Sequence, residues 1–215
     1  MSDTFDPKRI AAKERIAQER RIPTHPPGHP RLPVGQRQVF NFPVLDLGVV
    51  PNVDLDPFHL EIDGAVERPL SLTWAELLAL TQTDVVADFH CVTTWSRLDN
   101  RWGGILLQDL LALARPTPKA AFLIAHSLDG YSTNLPLPVA LDDDVLVAHH
   151  WEGQPLTAEH GGPLRLVVPK RWAWKSAKWV NRLTLTEVDH PGFWEVRGYH
   201  NNADPWGEDQ ERYSR

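Results

Sequence analysis

The stretch VVADFHCVTTWS occupies residues 85–96 and contains Cys91, the only cysteine among 215 residues. Its β-branched beginning predicts a strand, and the polar Thr93 and Thr94 that follow predict a turn. The thiol would then lie at the edge of a sheet, where binding and catalytic sites are often built. A lone cysteine cannot form an intramolecular disulfide or a multi-cysteine zinc site. Three interpretations remain: a buried bystander, a nucleophile, or the single thiolate ligand of a soft metal.

The segments around this stretch predict more strands than helices. Residues 58–64 alternate polar and apolar side chains and end in an Asp-Gly pair, which indicates a strand entering a turn. Thr73 and Glu76 have the spacing of a capping box, which predicts a helix ending around Leu80. Residues 102–105 lead into a second helix at 107–114, and strands are predicted at 121–126, 145–151, 164–168 and 179–188. The pattern predicts an α+β fold with a mixed or antiparallel sheet and short helices, not a doubly wound array.

Three parts of the chain differ in composition. Residues 1–38 are predicted to form an arm, with a charged helix at about 7–21 and then a Pro-rich stretch at 23–33. Residues 39–190 carry most of the alternating apolar patterns and are predicted to form one domain. Residues 191–215 are rich in aromatic side chains, which a disordered tail does not usually carry. This C-terminal tail is therefore predicted to pack back on the domain.

The overall composition excludes several classes of protein. Hydrophobic residues make up 42% and charged residues 23%, which is typical of a soluble globular protein. A net charge of −6 argues against a nucleic-acid binder, and no segment has the length of a membrane span. The single cysteine and the charged N-terminus without an apolar signal region predict a cytoplasmic protein. Nine tryptophans suit the walls of a pocket for a flat heterocyclic ligand.

Two later segments combine cations, glycines and aromatic side chains. Residues 160–165 form a glycine turn that leads into a strand, and residues 170–178 carry four Lys or Arg side chains interleaved with tryptophans. Bidentate arginine contacts, lysine point charges and N–H groups in a turn together suit an anionic, planar ligand. The same pattern is also typical of a solvated basic edge whose tryptophans pack in the core. The residues alone leave both interpretations open.

The histidines allow two further interpretations. A cysteine hydrolase would need an imidazole base held beside Cys91, and nothing in the spacing selects one of His126, His149, His150 and His160. His149 and His150 together with His160 would also suit a zinc site, although no carboxylate pattern accompanies them. Most of these side chains are expected to be ordinary hydrogen-bonding groups.

In order and spacing, seven groups of residues resemble the sulfite oxidase family of molybdenum oxidoreductases. Within it, the chain is most similar to the small bacterial branch related to the catalytic subunit of the protein-methionine-sulfoxide reductase. The resemblance extends from about Phe42 to Trp206. The groups are FPVLD at 42–46, IDG at 62–64 with PL at 69–70, HCV at 90–92 with WS at 95–96, WGG at 102–104, GYSTNLP at 130–136, GPLR at 162–165 with VP at 168–169, and KSAKW at 175–179.

The resemblance implies the molybdopterin-binding fold of that family and Mo-molybdopterin as the cofactor. It places Cys91 where a thiolate ligates molybdenum beside the dithiolene sulfurs and oxygens, a role that suits a single soft ligand. It implies that Arg165, Ser176, Ala177 and Lys178 contact the cofactor. The remaining implied contacts are His160, where the methionine-sulfoxide branch has asparagine, and Ser127, Leu45 and Asp46.

The resemblance also implies an enzyme that moves an oxygen atom to or from a small oxo substrate. The sequence contains no haem, flavin or iron–sulfur motif, which predicts a separate electron-transfer partner. The alternative is a molybdopterin-binding module without turnover of its own, because the same anchors would serve it. The nearest arginine after the cysteine is Arg97, six residues further on. The substrate and the direction of the reaction do not follow from the cofactor.

Overall fold

The computed structural model describes residues 5–18, 30–207 and 211–213. Within these ranges the α-helices are α1 (Pro7–Gln18), α2 (Trp74–Ala79), α3 (Leu107–Ala114) and α4 (Leu137–Ala140). The strands are β1 (Arg37–Gln38), β2 (His59–Gly64), β3 (Leu70–Thr73), β4 (Thr83–Cys91), β5 (Trp95–Leu106), β6 (Phe122–Ser127), β7 (Ser132–Pro136), β8 (Leu146–Trp151), β9 (Gln154–Pro155), β10 (Arg165–Val167) and β11 (Val180–Thr186). Short 3-10 turns occupy Ala158–His160, Ala173–Lys175 and Glu195–Arg197.

Part of the predicted arm and tail lies outside the described residues. The Pro-rich stretch is described only from residue 30, and residues 19–29 and 208–210 are not described. The helix predicted for about 7–21 is described as α1, which ends at Gln18. The division into arm, domain and tail stays a prediction.

The strands form two sheets with mixed pairing. The first sheet has the order β1-β5-β8-β10, with β4 also paired to β5 and β9 to β8. Its described pairings are antiparallel apart from β1 with β5. The second sheet has the order β3-β2-β11-β6-β7, in which β11 runs parallel to β2 and antiparallel to β6. The mixed sheets and short helices confirm the predicted α+β fold class.

The sequence signals for α2 and α3 are confirmed. Thr73 caps α2, because its hydroxyl accepts a hydrogen bond from the Glu76 N–H at 3.2 Å while the Glu76 carboxylate accepts one from the Thr73 N–H at 2.8 Å. Helix α3 buries Leu107, Leu110 and Leu111 on one face. Among the described residues, no helix is long and apolar enough to cross a membrane.

The structure contains features that were not predicted. Residues 102–105 lead into α3 as predicted, but they do so as the end of the long strand β5. Gly104 makes this possible, since a Cβ there would lie 2.1 Å from the carbonyl oxygen of Val147 on the neighbouring strand. The strand β7 has no counterpart among the predicted elements, because its sequence STNLP is polar and ends in proline.

The hydrophobic core is divided into two clusters. The larger contains the apolar faces of α3 and of the second sheet, with Leu60, Ile62, Leu123 and Leu183 fully buried. The smaller is built on the first sheet and consists of Phe89, Cys91, Trp95, Trp102, Leu146, Ala148 and Val167. Cys91 therefore belongs to a compact aromatic cluster at the end of β4.

Candidate active site

The hairpin between β4 and β5 fixes the position of Cys91. Cys91 is the last residue of β4 and lies opposite Trp95. The turn closes through a hydrogen bond from the Thr94 N–H to the Cys91 carbonyl at 3.0 Å, and Thr94 adopts a positive φ of 73°. The predicted strand that ends in a turn is thus present, and it extends through the cysteine itself.

The Cys91 side chain is buried but faces a cavity. Its exposed fraction is 7%, and its Sγ lies 3.1 Å from the hydroxyl of Thr93. Burial raises the pKa of the thiol, while hydrogen bonds from Thr93 and the charges of Lys13 and Arg212 act in the opposite direction. A soft metal would favour the thiolate far more strongly than these groups do.

The cavity has an empty volume of about 890 Å³, including its mouth. Its walls are largely aromatic, with Phe42, Trp174, Trp179 and Tyr199 among them. Cys91, Arg165, Ser176, Ala177 and Lys178, the principal site residues predicted from sequence, all line it. The cavity is also lined by Leu45, Asp46 and His160.

Ser127 occupies a different place. It is the last residue of β6 and is not part of the cavity wall as described. Its side chain is 7% exposed, and its hydroxyl has no hydrogen-bond partner among the described residues. A contact between Ser127 and a cofactor stays a prediction.

Arg165 brings a buried positive charge to the cavity. Its side chain is 3% exposed, and its guanidinium donates to the carbonyls of His160 at 2.8 Å and Ser176 at 3.2 Å. Among the described residues no carboxylate pairs with it, and it lies 5.2–5.7 Å from the ring centroids of Phe42, Phe89 and Trp102. Burial lowers its pKa to about 9, so the group stays charged at neutral pH. An anion in the cavity would compensate this charge.

Lys178 adds a second cation to the same wall. Its ammonium donates to the carbonyl of Glu159 at 2.6 Å. Burial lowers its pKa to about 7, and the charge of Arg165 acts in the same direction. A bound anion would raise this pKa again and keep the ammonium charged.

Ser176 lines the cavity and also makes hydrogen bonds that stabilise the surrounding loop. Its hydroxyl accepts from the Val168 N–H at 3.0 Å, and its own N–H donates to the Ala173 carbonyl at 3.0 Å. Its carbonyl is one of those that hold Arg165. Ser176 lines the cavity, and a contact between Ser176 and a cofactor stays a prediction.

The cations of residues 170–178 do not converge on one binding site. Lys170 lies 3.4–3.5 Å from carboxylate oxygens of Asp142, Asp143 and Asp144. Lys175 is fully buried and pairs with Glu195 at 2.7 Å. Of the four cationic side chains in this segment, Lys178 lines the cavity as described. Lys178 thus lines the cavity, Lys170 lies at the surface and Lys175 lies in the core.

The histidines do not form the alternative sites. His90 contacts the hydroxyl of Ser96 at 2.7 Å, and His160 contacts the Phe42 carbonyl at 3.0 Å. His149 and His150 contact each other through their Nδ1 atoms at 2.5 Å. In the described part of the chain, no hydrogen bond joins an imidazole to the Cys91 sulfur, and no three His, Cys, Asp or Glu side chains are placed to hold a metal ion. Neither the hydrolase nor the zinc interpretation gains support.

Sequence reasoning missed residues that reach the cavity from distant segments. Lys13 comes from α1, Tyr131 precedes β7, and Tyr199 lies in the C-terminal segment. Tyr131 donates to the Trp174 carbonyl at 2.6 Å, which fixes that part of the wall. The abundance of aromatic residues was a signal for such walls, but it did not select individual side chains.

One cavity thus contains a buried thiol, aromatic walls and a guanidinium that no carboxylate of the described residues neutralises. This arrangement suits an anionic ligand that carries a soft metal. The chain matches the family described as the oxidoreductase molybdopterin binding domain over residues 47–194. It belongs to this family of molybdenum oxidoreductases, of the sulfite oxidase type. The predicted fold, enzyme class and cofactor, Mo-molybdopterin, are thereby confirmed.

Individual relatives are similar to different extents. The uncharacterized oxidoreductase YuiH of Bacillus subtilis is 42% identical over 177 residues, which are 82% of this chain and 89% of that protein. The putative protein-methionine-sulfoxide reductase subunit YedZ1 of Azospira oryzae is 31% identical, over 70% of this chain and 57% of that protein. The crystal structure of the sulfane dehydrogenase SoxCD from Paracoccus pantotrophus aligns with a TM-score of 0.61 and 27% identity, over 66% of this chain and 41% of that one. The chain therefore spans less than two thirds of the last two proteins.

The described residues fit this cofactor. The pterin is a flat heterocycle, which suits aromatic walls, and its phosphate is an anion, which suits the buried charge of Arg165. The Cys91 thiol is the soft donor in the same cavity.

Proposed function

We propose that this chain is a molybdenum enzyme that transfers an oxygen atom to or from a small oxo substrate, with the Cys91 thiolate as the protein ligand of the metal. The observation that carries the proposal is the position of the Cys91 thiol in a cavity that also holds the buried charge of Arg165. The cofactor, when bound, supplies the two-electron redox chemistry. Removal of an oxygen atom consumes two electrons and two protons and releases water, and oxygen addition is the reverse. A separate electron carrier exchanges these electrons with the enzyme.

The protein's own residues bind and orient the cofactor in this proposal. Arg165 and Lys178 offset the negative charge of the phosphate or the pterin oxygens, while Ala177 lies against the same wall and leaves room for the ring. His160 is held by the Phe42 carbonyl and stacks on the Phe42 ring with centroids 4.4 Å apart. The two stacked rings form one flat side of the cavity. Leu45, Asp46, Ser127 and Ser176 are proposed as further contacts.

A second candidate is a molybdopterin-binding module without turnover, which the same cavity would serve. The burial of the thiol favours neither function. The two are separated by an oxygen-transfer assay with a reduced viologen as electron donor and dimethyl sulfoxide as acceptor, followed by an assay with sulfite and ferricyanide. Protein that carries molybdenum and pterin but shows no turnover with any oxo compound would contradict the enzymatic proposal.

We also propose a cytoplasmic location because the chain has one unpaired thiol, and fractionation of the native host tests it.

Replacing Arg165 with glutamine is expected to lower cofactor content. The substitution removes a buried charge that no described carboxylate neutralises, and charge-assisted hydrogen bonds of this kind are worth about 1.5–3 kcal/mol, or roughly a 10- to 100-fold loss of affinity. The measurement is molybdenum and released pterin per chain after dialysis. Arg101→Gln is the matched control, because the Arg101 side chain is 60% exposed and pairs with Asp84 at the surface. Full cofactor content in folded Arg165→Gln protein would contradict the assignment.

A further inference from the structure

The end of β4 that carries Cys91 has two faces, and one of them lines the cavity. Cys91 and Trp95 lie opposite each other on β4 and β5, and both line the cavity. The neighbouring pair of the same hairpin is His90 opposite Ser96. Because successive side chains of a strand point to opposite faces of the sheet, this pair lies behind the cysteine, on the face turned away from the cavity.

The pair behind the cysteine belongs to a buried polar network that also contains Gln36. The side chains of His90, Ser96 and Gln36 are each at most 1% exposed. The Ser96 hydroxyl donates its proton to Gln36 Oε1 at 3.2 Å, so the Nδ1–H of His90 is the donor in its 2.7 Å contact with Ser96 Oγ. Gln36 Nε2 has no hydrogen-bond partner among the described residues. A partly satisfied network stabilises a fold less than apolar packing does, so stability alone does not account for these side chains.

Segments from both ends of the chain hold the network in place. Gln36 directly precedes β1, and the N–H of Arg37 in β1 donates to the Thr94 carbonyl in the turn after the cysteine at 3.1 Å. On the other side, the Trp206 ring meets the imidazole of His90 edge to face, with centroids 5.0 Å apart. Gln36 and Trp206 both lie outside residues 47–194, which match the family. The network is therefore completed by parts of the chain that the family match does not include.

A β-bulge separates the cysteine end of the hairpin from the rest of it. The register of β4 against β5 shifts between Ala87 and Phe89, and three residue pairs follow, of which the last contains Cys91. Bulges of this kind re-aim side chains next to active sites. The contact of His90 with Ser96 joins the two strands within this short stretch, and it lies one residue from the cysteine.

We propose that His90, acting through Ser96 and Gln36, is a positioning residue that holds the Cys91 sulfur in the orientation in which it binds molybdenum. The inference rests on the proposed function, because it concerns the metal ligand of that same site. Side chains that orient a metal ligand without touching the metal change metal affinity or activity roughly 10- to 100-fold when they are removed. His90 shares a peptide bond with Cys91, so a displacement of the buried imidazole changes the direction in which the cysteine side chain leaves the strand.

The test compares the metal site of wild type with those of His90→Leu, His90→Asn and Ser96→Ala, all produced in a host that makes molybdopterin. X-ray absorption reports the sulfur ligands of molybdenum and their distances, and a redox titration reports its midpoint potential. We expect His90→Leu and Ser96→Ala to change the cysteine sulfur distance or its spread, to shift the midpoint potential, and to lower turnover per bound molybdenum by roughly 10- to 100-fold. Asparagine keeps an N–H close to the place of the His90 Nδ1–H, so His90→Asn should recover most of the wild-type values.

Asn100→Ala is the matched control. Asn100 is also a fully buried polar residue of β5, and it donates to the Arg97 carbonyl at 2.7 Å. It lies opposite Ala87, on the far side of the bulge from Cys91. This variant should lower the free energy of unfolding while the sulfur ligands and the midpoint potential of molybdenum stay as in wild type.

The outcomes separate the inference from the proposed function. Wild-type protein without molybdenum, or without a cysteine sulfur bound to it, would contradict the proposed function. If the wild-type metal site is as expected, unchanged sulfur distances and midpoint potential in His90→Leu and Ser96→Ala would overturn the inference alone, because the network would then serve stability. Ser96→Ala, which removes a single hydroxyl, decides the question if His90→Leu does not fold. Changes of the same size in Asn100→Ala would also overturn the inference.

Discussion

Replacing Cys91 with alanine is expected to abolish oxygen transfer while leaving much of the pterin bound. The substitution removes the proposed thiolate ligand, whereas Arg165 and Lys178, the charges proposed to hold the cofactor, remain in the cavity wall. Loss of one ligand would change the charge and electronic properties of the metal, so turnover should fall by about 10³-fold, a barrier increase of about 4 kcal/mol. The measurement is the rate of oxygen transfer per bound molybdenum, with pterin content determined on the same sample.

The fold should tolerate this substitution. Cys91 behaves as a small buried hydrophobe whose described hydrogen-bond partner is the Thr93 hydroxyl, and truncation of such a group costs about 1–2 kcal/mol. Thr93→Val is the matched control, because it removes the hydroxyl beside the sulfur but leaves the thiol. Turnover in Cys91→Ala at a wild-type rate per molybdenum would disprove the ligand assignment.

Among the substitutions considered for this protein, Glu195→Gln is expected to lower the free energy of unfolding most. The Glu195 carboxylate, which is 2% exposed, accepts hydrogen bonds from Lys175 at 2.7 Å and from Thr133 and Trp174 at 3.0 Å each. Lys175 is fully buried, and burial lowers its pKa while Glu195 raises it. Glutamine keeps the shape but leaves the ammonium without its counter-charge, which costs about 3–5 kcal/mol. The free energy of unfolding from urea titration should fall by that amount.

The same network connects stability to the cavity. Trp174 lines the cavity and donates its indole N–H to Glu195, so Glu195→Gln should also loosen that wall. Glu187→Gln is the control, because Glu187 pairs with Lys119 at 3.8 Å with both side chains more than 60% exposed, and such pairs contribute about 0–1 kcal/mol. Equal unfolding free energies for the two variants would show that the buried pair does not stabilise the fold.

The sequence predicted those helices and strands whose signals, such as a cap or an alternation of apolar residues, lie within the element itself. The capping box of α2, the apolar spacing of α3 and the alternation in β11 each identified an element within a few residues of its observed bounds. β5 was not predicted, because polar residues and two glycines leave it without a clear apolar alternation, and the glycines allow close contact with β8. That contact is made by residues more than forty positions away in sequence, so no local pattern contains it.

Cavity residues that belong to a sequence motif could be predicted, whereas residues that tertiary packing brings to the cavity could not. Cys91, Arg165 and Lys178 occur in motifs of the family, and all of them line the cavity. Lys175 lies in the same motif as Lys178, yet it points into the core, because its partner Glu195 arrives with a later segment. Lys13 lies in a helix whose sequence is ordinary for a charged surface, and only the docking of α1 brings it to the cavity that Cys91 lines.

The most direct test of the central claim is the X-ray absorption spectrum of molybdenum in wild type and in Cys91→Ala. Both proteins are produced in a host that makes molybdopterin, and spectra are compared at matched molybdenum concentration. The account predicts sulfur ligation in wild type that exceeds the dithiolene by one sulfur, and the loss of that sulfur in the variant. The same number of sulfur ligands in both proteins, or wild-type protein without molybdenum, would contradict it.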